Sequence, residues 1–114
     1  MASKFELSRT KDSRYFFTLI GDDGTELLRG LPLFSKTQAR KAAEAAQTCI
    51  LDPVRVFKKE SHGELYFTVH NAKDEMIARS PHMHSTLAID EILDEAKGAV
   101  EKAIFFDASE RKIG

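Results

Sequence analysis

Shifting the sequence along itself by 50 residues lays like residues on like. Phe17 falls on Phe67, Thr18 on Thr68, Arg29 on Arg79, Ser35 on Ser85 and Ala46 on Ala96. Phe16 meets Tyr66, Leu19 meets Val69, Leu27 meets Ile77 and Leu33 meets Met83. The helical positions are the stricter comparison. Ala39, Ala42, Ala43, Ala46 and Ile50 match Ile89, Ile92, Leu93, Ala96 and Val100, so every apolar position maps onto an apolar one. A pattern that keeps both period and phase constrains the chain to build the same supersecondary unit twice.

Each unit reads as three strands and a helix. Phe5 to Arg9 is a strand, and Lys11 to Ser13 a turn of short polar residues that compete for backbone hydrogen bonds. Arg14 to Ile20 is rich in aromatic and β-branched residues and reads as a second strand. Gly21 to Gly24 makes a hairpin, Thr25 to Arg29 a third strand, and Pro32 ends the ladder because it has no amide donor. Ser35 and Gln38 have capping-box spacing, and the helix they start is expected to run to about Cys49. After Asp52-Pro53 the order recurs, with turns at Ser61 to Gly63 and Asn71 to Asp74. Ser85 or Thr86 caps a longer helix expected to reach about Phe105. Phe5-Glu6-Leu7 has to match within Val54 to Phe57, in a register ambiguous by one residue.

The expected fold class is α+β. Two tandem β-β-β-α repeats, residues 1–51 and 52–114 with a C-terminal tail, make one compact domain. Neither unit alone buries enough surface, so the two are expected to share one antiparallel sheet with both helices on one face. Strand parity puts Phe17, Leu19, Leu65, Phe67 and Val69 under the helices, and Phe16, Thr18, Tyr66 and Thr68 on the opposite side. Ile92 and Leu93 are expected to stabilise the core more than the alanines of the first helix.

Composition removes several function classes. The 114 residues are 42% hydrophobic and 31% charged with a net charge of −1, so no overall excess of either sign points to nucleic acid or a basic partner. The first half carries +2 and the second −3, which favours contact between oppositely charged helices of neighbouring chains. One cysteine, Cys49, makes no internal disulfide, Met1 to Phe5 has no apolar run of the signal-peptide kind, and no stretch is long and apolar enough to span a bilayer. The expected location is cytoplasmic, without membrane association.

Tyr15 to Leu19, the Asp22 to Glu26 hairpin, Leu27-Leu28 and Ser35 to Ala39 together resemble the YegP-like tandem-repeat family, small bacterial proteins of unknown function. The resemblance spans about residues 4–105. It implies a fold and no activity, cofactor or catalytic residue.

A second resemblance belongs to another functional class. Two strands followed by Ser35-Lys36 and Ala39 to Ala43 look like the C-terminal half of a double-stranded-RNA-binding domain, where Lys36, Arg40 and Lys41 would contact phosphates. The first helix of that domain is missing, and the second unit places Thr86, Asp90 and Glu91 at the corresponding positions.

The remaining candidates are weighed residue by residue. His82 and His84 alternate on one face but lack a nearby third ligand, so solvated turn histidines explain them better than a metal site. Cys49 has no base beside it in sequence and reads as a buried or half-buried helix-end thiol. Asp90, Glu91, Asp94 and Glu95 read as a solvated helix surface rather than an acid–base pair. Arg29 and Arg79 occupy the same place in both units and form either two equivalent anion sites or stems laid over the sheet and paired with carboxylates. Phe16 and Tyr66 are expected to be exposed on the helix-free face, as a partner surface. The sequence is therefore read as a non-enzymatic module without cofactor or metal. It is expected to self-associate as a dimer or to bind a protein partner through Phe16, Tyr66, Arg29 and Arg79, with nucleic-acid binding as the alternative.

Overall fold

The computed structural model describes residues 3–108. Three strands lead into a helix: β1 (Lys4–Arg9), β2 (Tyr15–Ile20), β3 (Glu26–Gly30) and α1 (Lys36–Cys49). A 3-10 turn (Pro53–Arg55) then leads to β4 (Val56–Ser61), β5 (Glu64–His70), β6 (Met76–Arg79) and α2 (Thr86–Lys102), and β7 (Ile104–Asp107) follows. The seven strands form one sheet in the order β4-β5-β6-β3-β2-β1-β7.

The sheet is mixed, which corrects the expectation of a purely antiparallel one. β7 runs parallel to β1, pairing Phe5 with Phe105 and Leu7 with Asp107. The same residues correct the expected helix end. α2 stops at Lys102, where Ala103 takes an extended conformation (φ −66°, ψ 136°). Ile104-Phe105-Phe106 is a β-favouring run, and the open side of β1 offers it a ladder and an apolar seat that a further helical turn would lack. Phe105 stacks on Phe5 with ring centroids 5.3 Å apart.

Both helices lie against one face. Phe5, Leu7, Phe17, Leu19, Phe67 and Val69, alternating along their strands, form one core with Ala39, Ala43 and Ala46 of α1 and Ile89, Ala96 and Val100 of α2. Ile92 and Leu93 are only half-buried, contrary to their expected weight, while the α1 alanines are fully buried. Small side chains let α1 sit close to the sheet, and Ile89 rather than Ile92 is the deeply buried isoleucine of α2.

Local chemistry sets the ends of the helices. Ser35 accepts a hydrogen bond from the Gln38 amide (3.1 Å), and Ser85 accepts one from the Ala88 amide (3.1 Å). The Gln38 side chain reaches back to the Phe34 amide, one residue beyond the reciprocal capping box. Each half has a β-bulge, with Leu27 of β3 the extra residue opposite Leu19-Ile20 of β2 and Ile77 of β6 the extra residue opposite Val69-His70 of β5. Gly24 and Asp74 both take positive φ, 86° and 64°, in the hairpins that follow.

The register of the first strands is resolved. Phe5 pairs with Leu19 and Val56 with Val69, so Phe5-Glu6-Leu7 corresponds to Val56-Phe57-Lys58.

Candidate functional site

The side of the sheet away from the helices carries one continuous cross-strand row. Phe106, Glu6, Thr18, Arg29, Arg79, Thr68 and Phe57 are successive partners from β7 to β4. Because side chains alternate along a strand, all seven project to the helix-free face. β3 and β6 meet at the middle of the sheet, so Arg29 and Arg79 are direct neighbours there. The two positions read from the sequence as equivalent candidates are thus adjacent in the sheet.

The two arginines differ in their surroundings. The Arg29 guanidinium donates to both carboxylate oxygens of Glu26, at 2.8 and 3.1 Å, and lies 5.2 Å from the centroid of Phe16. At the place corresponding to Glu26, β6 carries Met76. Arg79 is exposed, and its side chain makes no hydrogen bond or ion pair among the described residues. Carboxylate pairing therefore holds for Arg29 and not for Arg79.

Thr18 and Thr68 are buried although no helix covers them. Thr18 lies between Glu6 and Arg29 and Thr68 between Phe57 and Arg79 in the ladder, and the Thr68 hydroxyl shares a hydrogen bond with the His70 ring at 2.9 Å. Phe16 and Tyr66 are half-buried, which corrects the expectation that they stand exposed. Arg29 covers Phe16, and the His82 ring stacks on Tyr66 at 4.7 Å. The most exposed aromatics on this face are Phe57 and Phe106, 42% and 38% exposed, with the His70 ring 4.6 Å from Phe57 and the Lys4 ammonium 5.1 Å from the Phe106 centroid; neither is singled out from the sequence. Phe57 becomes legible once Val56 is known to face the core, because its neighbour then faces away.

The basic start of α1 is occupied by the chain itself. Lys36 pairs with Asp107 of β7 at 3.3 Å. Arg40 lies 4.4 Å from the Phe105 ring and 3.6 Å from Glu44. Lys41 is exposed. His82 and His84 both stand near Glu64, at 3.2 and 4.0 Å. Among the described residues no group of three histidine, cysteine or carboxylate side chains is gathered as a metal site would need. Cys49 is half-buried at the end of α1. No helix among the described residues is long and apolar enough to cross a membrane.

The chain is 32% identical over 87 residues to the UPF0339 protein YegP of Escherichia coli, an alignment spanning 75% of this chain and 78% of that protein. It belongs to the YegP family. The solution structure of E. coli YegP, described as a protein of unknown function, superposes with a TM-score of 0.90 over 98% of this chain and 97% of that one. Across that longer superposition the identity is 24%. A UPF0339 protein of Shewanella oneidensis superposes with a TM-score of 0.88 at 23% identity, over 96% and 93% of the two chains. No family profile matches. Membership carries the α+β fold and no assigned activity, so any function has to be argued from this chain's own surface.

Proposed function

We propose that the chain is a non-catalytic binding module, built from two copies of one three-strand-and-helix unit, that holds carboxylates of an acidic protein partner on the helix-free face of its sheet. The single observation that carries this reading is Arg79: an exposed guanidinium without a counterion, directly beside a second guanidinium at the middle of an uncovered face. Guanidinium is a planar fork that matches a carboxylate, and a bidentate contact gives both geometry and energy.

Two features favour an acidic protein over single-stranded nucleic acid. Base stacking needs free aromatic faces, and the rings on this side already carry neighbours: Arg29 on Phe16, His82 on Tyr66, His70 beside Phe57 and Lys4 over Phe106. Glu6, Glu26 and Glu64 also line this side and would repel a phosphate run crossing the whole face more than a carboxylate seated at the central arginines alone. Self-association through the same face fits less well. A two-fold axis through the β3–β6 pair would bring four guanidiniums together. The duplication rests on matched detail, including the bridges Tyr15–Leu33 and Leu65–Met83 and the two bulges.

The test is an NMR titration of the full chain with a triglutamate peptide at low and high salt. Saturable shifts at Arg79, Thr18 and Thr68 that weaken with salt and vanish in Arg79→Ala are expected. Unchanged spectra, or an Arg79→Ala protein that responds like the parent, would overturn the proposal.

A further inference from the structure

The two sides of the sheet end differently. On one side β7 closes β1. Its Phe105 stacks on Phe5 and lies under Arg40, its Asp107 pairs with Lys36, and the Ile104 and Ala108 amides donate to the Ser3 and Leu7 carbonyls at 3.2 and 2.8 Å. On the other side β4 is the last strand, with no partner on its outer edge among the described residues. By the register given above, Val56 corresponds to Phe5 and Lys58 to Leu7.

The helices repeat the contrast. Ala43 of α1 is fully buried, whereas Leu93, its counterpart 50 residues on, is only half-buried. Leu93 lines a groove of about 470 Å³ between α2 and β4, together with Pro53, Val56, Phe57, Lys58 and Lys97. A second hollow of about 170 Å³ continues it past Lys58 towards Tyr66 and Ile89. The two hollows together lie where a counterpart of β7 would run.

We infer that the β4 edge and the α2 groove form a docking site for an extended peptide, added parallel to β4 with an aromatic side chain in the groove and a carboxylate near Lys58 and Lys97. The occupant is a segment of a partner protein with the chemistry of β7, alternating bulky apolar residues ending in an acid. Strand addition gives affinity through backbone hydrogen bonds, while a pocket for alternate side chains gives specificity. Charge argues against a second copy pairing β4 with β4. Lys58 and Lys59 are consecutive on that edge and exposed, the kind of placement that keeps like edges apart. The same lysines, with Lys97, favour an acidic strand. Lys58 pairs with Asp90 in the free chain, so an incoming carboxylate competes for an ammonium already positioned at the groove. The inference rests on the two-unit reading of the chain, and it is independent of Arg79.

The test uses the full chain and a labelled peptide with the sequence of residues 102–108, Lys-Ala-Ile-Phe-Phe-Asp-Ala. Anisotropy should report saturable binding, with amide shifts along Val56 to Ser61 and at Leu93 and Lys97. Lys97→Glu should weaken binding about tenfold, while Arg79→Ala should leave it unchanged. Lys97 is a half-buried groove residue with no ion pair among the described residues, so its replacement breaks none. Three results would overturn the inference. The first is shifts at Lys4 to Arg9 and Arg40 instead, which would mean exchange with β7. The second is equal binding of triglutamate at the groove, which would mean charge alone. The third is no binding.

Discussion

Arg29 and Arg79 stand opposite one another across the β3–β6 pairing that joins the two halves of the sheet, and only Arg29 has a carboxylate at hand. Like charges directly opposed on neighbouring strands destabilise a sheet, by roughly 0.5 kcal/mol at an exposed position. Arg79→Ala is therefore expected to raise stability by about that amount at low salt, with the gain shrinking as sodium chloride is added. Arg29→Ala should show no such gain, because it also removes the Glu26 pair and uncovers Phe16. Urea titrations of the three proteins at two ionic strengths decide it. A loss of stability in Arg79→Ala would mean that the guanidinium has a favourable role in the free chain.

Gly30 is a packing requirement. A Cβ there would come within 2.4 Å of the Phe17 ring, and Phe17 is fully buried with no room to retreat. Gly30→Ala is expected to cost about 1–3 kcal/mol through overpacking, read as a lower urea midpoint with an unchanged slope. An alanine variant as stable as the parent would show that the ring can shift freely.

At the corresponding place in the second half stands Ser80, buried, whose hydroxyl accepts from the Phe67 amide at 2.9 Å and donates to the Pro81 carbonyl. Ser80→Ala should cost about 1–3 kcal/mol, since it removes a partner from a buried backbone donor. A cost near zero would mean that the Phe67 amide finds another acceptor.

The central part of this architecture is legible in the sequence because two independent signals coincide there. Alternation along Tyr15 to Ile20 and Glu64 to His70 separates the faces, and the Ser35 and Ser85 caps start the helices. What escaped is tertiary in origin. Ile104 to Phe106 continues the apolar pattern of α2, and only the open side of β1 draws it into a strand. The difference between Arg29 and Arg79 hinges on Glu26 against Met76, three residues earlier and brought close by a bulge that strict alternation does not anticipate. Strand parity puts Phe16 and Tyr66 on the helix-free face, but their covering depends on side chains from elsewhere, Arg29 on β3 and His82 in the connection after β6.

The closing strand gives a further prediction. Phe105 is the apolar anchor of β7 against β1 and α1. Phe105→Ala is expected to destabilise by about 2 kcal/mol, less than a fully buried phenylalanine because the ring is only half-buried. The Ala108 amide, which donates to the Leu7 carbonyl, should lose its protection from hydrogen exchange in the variant. Unchanged protection would mean that the backbone ladder holds β7 without its anchor.

The hairpin at Gly21 to Thr25 carries a proton-linked contribution. The Thr25 amide donates to the Asp23 carboxylate at 3.0 Å, and this bond, seconded by the Thr25 hydroxyl, holds the carboxyl below its ordinary value. A depressed folded-state pKa means that the contribution is fully present above the unfolded value of about 4 and is lost as pH falls through the lower, folded midpoint. A carboxyl-detected NMR titration should place the Asp23 midpoint below that of an unfolded aspartate. Asp23→Asn keeps an acceptor for the Thr25 amide, so it should preserve the hairpin at neutral pH while removing its share of the acid sensitivity. A midpoint at or above the unfolded value would show that the bond does not persist in solution.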